Sequence, residues 1–243
     1  HHFGHGLVRT PDNFGTLGEK PTHPELLDWL AASFMDSGWS IKQLHRLILT
    51  SATYQASSTF NRAAFDRDGD NRLLWRMTPR RMDVEAWRDS LLSVTGELDP
   101  ASGGPAIDNI AGSKRRTLYA KVSRNAPLSS DTFLRLFDFP IPRATAAQRT
   151  ANVIPQQFLF MLNSRFMLDR ARALAARLEK ETPVPTERVA RAYSLLFGRA
   201  PTAREQAVAA TYLAGKPPAN GQLNRWQQYC QALLSANEFM YIR

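Results

Sequence analysis

The stretch Pro21–Gln55, PTHPELLDWLAASFMDSGWSIKQLHRLILTSATYQ, sets the fold class. Thr22, His23, Pro24 and Glu25 have capping-box spacing, with a proline in the first turn. Leu26, Leu27, Leu30, Ala31 and Phe34 then recur at helical spacing along one stripe. Gly38 can end that helix, and Ser40-Ile41-Lys42-Gln43 opens a second whose inner face is Leu44, Leu47, Ile48 and Ser51. Residues 22–56 therefore read as a helical hairpin.

The same signals recur downstream. Asp83 is placed to cap a helix with the stripe Val84, Trp87, Leu91 and Val94, ended by Gly96. Helices resume at Pro155. Asn163-Ser164 separates PQQFLFML from RFMLDRARALAARLEK, and Thr186 begins another helix closed by Phe197-Gly198. Thr202-Ala203-Arg204-Glu205 is a third capping box, and the loop GKPPANG leads to RWQQYCQALLSA. Between Asp99 and Asn152 the periodicity weakens, though Leu118, Ala120 and Val122 alternate with Tyr119 and Lys121 as in a short strand. The expected fold is mainly α: nine or ten helices arranged as hairpins, with an irregular middle and at most a small β element. It divides into an N-terminal helical part at 1–98, an irregular basic connector at 99–154 and a C-terminal helical part at 155–243, together one structural domain.

Composition narrows the function classes. The 243 residues are 43% hydrophobic and 22% charged, enough to enclose a core. No apolar run approaches the roughly 18 residues of a membrane span. Cys230 is the single cysteine, so an intrachain disulfide and a CxxCH haem attachment are excluded for this chain. The net charge of +9 suits nucleic acid, anionic lipid or acidic polysaccharide, or simply a solvated arginine-rich surface. KRRTLYAKVSR, Lys114–Arg124, is the densest basic stretch and contains no acid. As a strand it would set Arg115, Tyr119 and Lys121 on one face and Arg116 with Leu118, Ala120 and Val122 on the other. Lys114, Arg115, Arg116, Tyr119, Lys121 and Arg124 are thus the candidate ligand-binding residues, cations beside an aromatic ring. In DRDGDNRLLWR, by contrast, acids and bases interleave as surface ion pairs.

Catalytic signals are sparse. GxSxG, HExxH, P-loop and GxGxxG motifs are all missing. Arg9, Asp12, His23 and Asp28 are the polar residues from which an active site could be assembled, provided that they meet in one cleft. Asp83 and Glu85, two apart at a helix start, should diverge. The opening His1-His2-Phe3-Gly4-His5 reads as the last turn of a helix whose body lies upstream, with Gly4 as its cap, and no metal ligands are assigned. The hairpin at 22–56 outlines a helix-turn-helix, but Phe34, four residues before the turn glycine, is too large for the close crossing of that motif.

Several phrases in order, HHFGHGLVRTPDNFG, PTHPELLDWLAASFMDSGWSIKQLHRLILTSATYQ, RRMDVEAWRDSLLSVTGELD, FLFMLNSRFML, AYSLLFGRAPTARE and LLSANEFMYIR, resemble the planctomycete domain-of-unknown-function family 1553. Arg9, Asp12, Gly15, Gly18, His23, Pro24, Glu25 and Asp28 match its fullest motif, whereas Ile141 stands where an acid is usual and no cysteine occurs near Ala146. The resemblance implies an exported, extracytoplasmic protein in which this domain is C-terminal. It also implies a c-type cytochrome module elsewhere in the full-length chain, so haem c would lie outside this segment, which needs no cofactor of its own. The expected role is a non-catalytic scaffold or ligand-binding module. The expected partners are other domains of the same polypeptide and anionic polysaccharide rather than nucleic acid. An enzyme acting on acidic or sulfated polysaccharide is the alternative, and a DNA-binding helix-turn-helix the weaker one.

Overall fold

The computed structural model describes residues 2–125, 129–149, 151–216 and 223–242. Eleven α-helices among these residues and one two-stranded sheet make the chain mainly α-helical, in agreement with the periodicity. The chain forms two compact units, residues 1–80 and 81–242. The helix at 84–94 lies in the second unit, where it packs on the long helix at 165–181.

In the first unit, α1 (Pro24–Asp36) and α2 (Ile41–Leu49) form the expected hairpin, followed by α3 (Arg62–Arg67). The start of α1 differs from the capping box. Pro24 occupies N1, where its fixed φ and missing N–H fit best, so His23 is the N-cap and Glu25 falls at N2. Thr22 is left outside the helix, and its N–H and hydroxyl both donate to the Leu7 carbonyl, at 2.8 and 3.2 Å. The second box holds in part: Ser40 Oγ accepts from the Gln43 N–H at 3.3 Å. Gly38 and Trp39 both turn left-handed between the helices, at φ +72° and +60°. Edge-on contact of the Trp39 and Phe34 rings, 5.4 Å apart, helps hold a non-glycine residue there.

This hairpin encloses little. Leu30, Phe34, Leu44 and Ile48 are half-buried, but Leu26 and Leu27 are 43% and 37% exposed and neither helix has a buried residue. Among the described residues of the first unit, only Met77 is a buried apolar side chain. Residues 3–5 form bends instead of a final helical turn, although Gly4 does take a left-handed φ of +86°. His1 lies outside the described residues.

The second unit contains α4 (Val84–Val94), α5 (Ser129–Leu136), α6 (Pro155–Asn163), α7 (Arg165–Glu181), α8 (Pro185–Phe197), α9 (Ala203–Leu213), α10 (Arg225–Leu234) and α11 (Asn237–Met240). Its axis is α7, where Phe166, Met167, Ala171, Leu174, Ala175 and Leu178 are buried at helical spacing. All but Ala171, which clusters with Leu168 and Leu223, meet Trp87 and Leu91 of α4 and Cys230, Leu233 and Leu234 of α10 in one core. Each such leucine contributes roughly 1.5–3 kcal/mol. Ser164 separates α6 from α7 as expected, its hydroxyl accepting from the Met167 N–H at 3.3 Å. Gly198 closes α8 at φ +67°. Thr202 and Glu205 form the full reciprocal capping box. Of the loop GKPPANG, residues 217–221 lie outside the described residues. Strands β1 (Arg80–Arg81) and β2 (Tyr241–Ile242) are two residues long and make the only sheet described.

The strand expected at 118–122 does not form. Thr117–Tyr119 is a single 3-10 turn, and Ala120 makes one isolated parallel bridge to Ile107. What shapes this segment is the side chains of α4.

Candidate functional site

Position 88 lies on the apolar stripe of α4, three and four residues from its neighbours Leu91 and Val84, and it carries an arginine with 0% exposure. Its guanidinium holds the connector. Nη1 donates to the Arg115 carbonyl and to Thr117 Oγ1, both at 3.0 Å. Nη2 donates to the Ile110 carbonyl at 2.6 Å and to that of Ser113. Residues 108–116 belong to no helix or strand, and of these carbonyls only that of Ile110 has a described backbone donor, the Ser113 N–H at 3.3 Å, so a planar multi-donor cation supplies partners. Burial lowers the Arg88 pKa to about 10, opposed by neighbouring Asp89, and the group stays charged at neutral pH. Asp89 completes the clasp: its Oδ1 accepts from the Thr117 N–H at 2.8 Å and hydroxyl at 2.6 Å.

The basic patch read from the sequence lies on this clasped loop, and most of its cations have partners within the chain. Lys114 pairs with Glu97 at 3.4 Å, Arg116 with Asp89 at 3.8 Å and Lys121 with Asp108 at 3.0 Å. Arg115 donates to the Pro105 carbonyl at 2.7 Å and to that of Gly103, and lies over the Tyr119 ring at 4.5 Å. The Tyr119 hydroxyl accepts from the Gly103 N–H at 2.8 Å. Arg124 is exposed, and its carbonyl accepts from Arg143. Arg115 and Tyr119 meet as parts of a loop staple, not as neighbours on a strand face.

The pattern extends through the second unit. Arg177 donates to the Ser93 and Val94 carbonyls at the end of α4, at 3.0 and 2.9 Å. Arg188 donates to the Thr182 and Pro183 carbonyls, both at 2.8 Å, and Arg225 to that of Tyr212 at 3.0 Å. Arg170, itself buried, pairs with Glu97 at 2.8 Å. Asp83 and Glu85, expected to diverge, converge on Arg149, which is 3.7 Å from Asp83 and forms two 2.7 Å hydrogen bonds to Glu85. Helix geometry separates the two carboxylates, but a guanidinium from a distant segment spans both. Burial tends to raise the Glu85 pKa, yet the Arg149 hydrogen bonds, a backbone hydrogen bond and the Arg149 charge together hold the carboxyl below its usual range.

The residues proposed for acid–base chemistry are arranged differently. Arg9 and His23 are half-buried, Asp12 and Asp28 are exposed, and no hydrogen bond or ion pair described joins any two of them. His23 Nδ1 instead lies 3.0 Å from Thr22 Oγ1. On α2, Lys42, Gln43, Arg46, Leu47 and Thr50 line a shallow open hollow on a single helix. No described helix is long and apolar enough to cross a membrane, and no group of three or more His, Cys, Asp or Glu among the described residues is arranged around a metal position.

A protein-family model described as PSD1, protein of unknown function (DUF1553), matches residues 1–213. The chain belongs to that family. The match covers the whole first unit and the second as far as the end of α9, including the Arg88 clasp of this DUF1553 chain. No curated protein and no solved structure matches it.

Helical spacing alone does not single out Arg88. Its signal is a charged residue at a stripe position, followed by a Gly- and Pro-containing segment with no periodicity of its own.

Proposed function

We propose that this DUF1553 chain is a non-catalytic helical scaffold within a larger exported protein. The observation that carries the reading is the Arg88 clasp with its surrounding arginine–carbonyl bonds. These cations brace irregular backbone, which is structural work. Export, and a cytochrome module with its haem elsewhere in the polypeptide, are proposals that rest on the family resemblance.

A second reading, a surface for anionic polysaccharide at Lys114, Arg115, Arg116, Tyr119, Lys121 and Arg124, has its own support. The side chains of Lys114, Arg116 and Lys121 remain 61%, 54% and 49% exposed beside their acidic partners. Exposed ion pairs of this kind contribute at most about 1 kcal/mol, so a dense polyanion could compete for them.

Binding assays with a sulfated glycan, a neutral glycan and duplex DNA at about 150 mM salt separate the readings, because simple charge attraction is heavily screened there. The scaffold reading expects weak, non-saturating signals that do not distinguish sulfated glycan from DNA. Saturable glycan binding, lost when Lys114, Arg115 and Lys121 are all changed to Ala, would favour the surface. Turnover of a sulfated polysaccharide that disappears in His23→Ala would overturn both in favour of an enzyme.

A further inference from the structure

His2 and His45 are 43 residues apart in sequence and meet in the first unit. His2 Nε2 lies 2.9 Å from His45 Nδ1, with ring centroids 4.9 Å apart and planes tilted by 48°. Tyr54 stands edge-on to the His2 ring at 6.3 Å and to Phe3 at 5.8 Å, so aromatic side chains wall the pair on one side. Both histidines retain solvent access.

We propose that His2 and His45 form a two-histidine site for a divalent transition ion of tetragonal preference, Ni2+ or Cu2+. Two nitrogens each about 2.05 Å from an ion at a right angle lie about 2.9 Å apart, whereas a tetrahedral angle spreads them to about 3.3 Å. The observed separation is that of adjacent ligands in a square or octahedral set, which selects against Zn2+. Binding requires the proton held between the two rings to move, by exchange with solvent, to the far nitrogen of its own ring, so that both imidazoles donate a lone pair as neutral ligands with no net proton release. Since no third His, Cys, Asp or Glu stands in place among the described residues, water completes the coordination and the ion exchanges readily. The ion would fasten the segment around His2 to α2 in a unit whose helices bury few side chains.

The test is isothermal titration of the whole chain with NiCl2, and separately with ZnCl2, at about neutral pH. The expected result is one equivalent of Ni2+, bound more tightly than Zn2+. His45→Ala and His2→Gln should each weaken Ni2+ on the order of tenfold or more, while His5→Ala leaves it unchanged. Ni2+ should also raise the unfolding midpoint of the parent chain and not of those two variants. His45 is exposed, so its replacement leaves the fold intact. Absence of Ni2+ binding, binding unchanged in His45→Ala, or equal loss in His5→Ala would each overturn the proposal, leaving a plain hydrogen bond between imidazoles. Tighter Zn2+ binding would overturn the right-angle geometry on which it rests.

Discussion

A guanidinium enclosed in a helix face is unfavourable unless every donor direction is used, and Arg88 meets most of that condition with three carbonyls and a hydroxyl. Arg88→Met keeps the aliphatic volume but removes all the donors, leaving buried acceptors of the connector unsatisfied. The expected loss is about 3 kcal/mol or more, measured as a lower urea midpoint. Arg88→Lys should lose less than Met but still more than a surface exchange, because an ammonium cannot reproduce the fork. The site was partly legible at this scale. Trp87, Leu91 and Val84 could be read from spacing alone, but a charged residue on the same stripe has no meaning until the carbonyls facing it are known. The convergence of Asp83 and Glu85 on Arg149 was hidden for the same reason: it depends on a partner 64 residues away from Glu85.

Helices whose starts rest on local chemistry were the most readable elements. The Thr202–Glu205 box formed as its spacing requires, and Arg199 joins it by bridging Glu205 and Glu238 at 2.8 and 2.7 Å. Hydrogen bonds from Arg199, then from the Thr202 backbone, hold the Glu205 carboxyl down at about 2. A folded-state pKa below the ordinary 4.5 gives stability that is present above 4.5 and lost as pH falls through about 2. Thermal unfolding followed across this window should show a decline that is shallower in Glu205→Gln than in the parent chain. At α10, Asn224 and Gln227 form a second reciprocal box, with the spacing of Thr202 and Glu205. Asn224→Ala should lower stability by about 1 kcal/mol, read from chemical denaturation. Two local readings failed for identifiable reasons. At Thr22 the preference of Pro24 for N1 moved the helix start by one residue. At 118–122 the alternation was too short to compete with Arg88 and Asp89, which bend the chain from outside.

At the scale of the whole molecule, the positive charge is unevenly placed. Residues 1–80 carry nine Lys and Arg against eight Asp and Glu, and residues 81–242 carry twenty-one against fourteen. The excess therefore belongs to the unit in which Arg88, Arg115, Arg177, Arg188 and Arg225 bind main-chain carbonyls, three of them (Arg88, Arg177 and Arg188) with a carboxylate beside them as well. A basic composition of this origin describes construction before it describes a ligand. The first unit has Met77 alone as a buried apolar side chain among its described residues, so amides of α1 and α2 should exchange with solvent well before those of α7 and α10. The central claim, that a buried arginine shapes the connector, is tested most directly by hydrogen–deuterium exchange on Arg88→Met beside the parent chain. The amides of Ile107, Thr117 and Lys121, whose bonds depend on the clasped loop, should exchange markedly faster in the variant, with α7 and α10 still protected. Unchanged protection of those three amides would contradict the account.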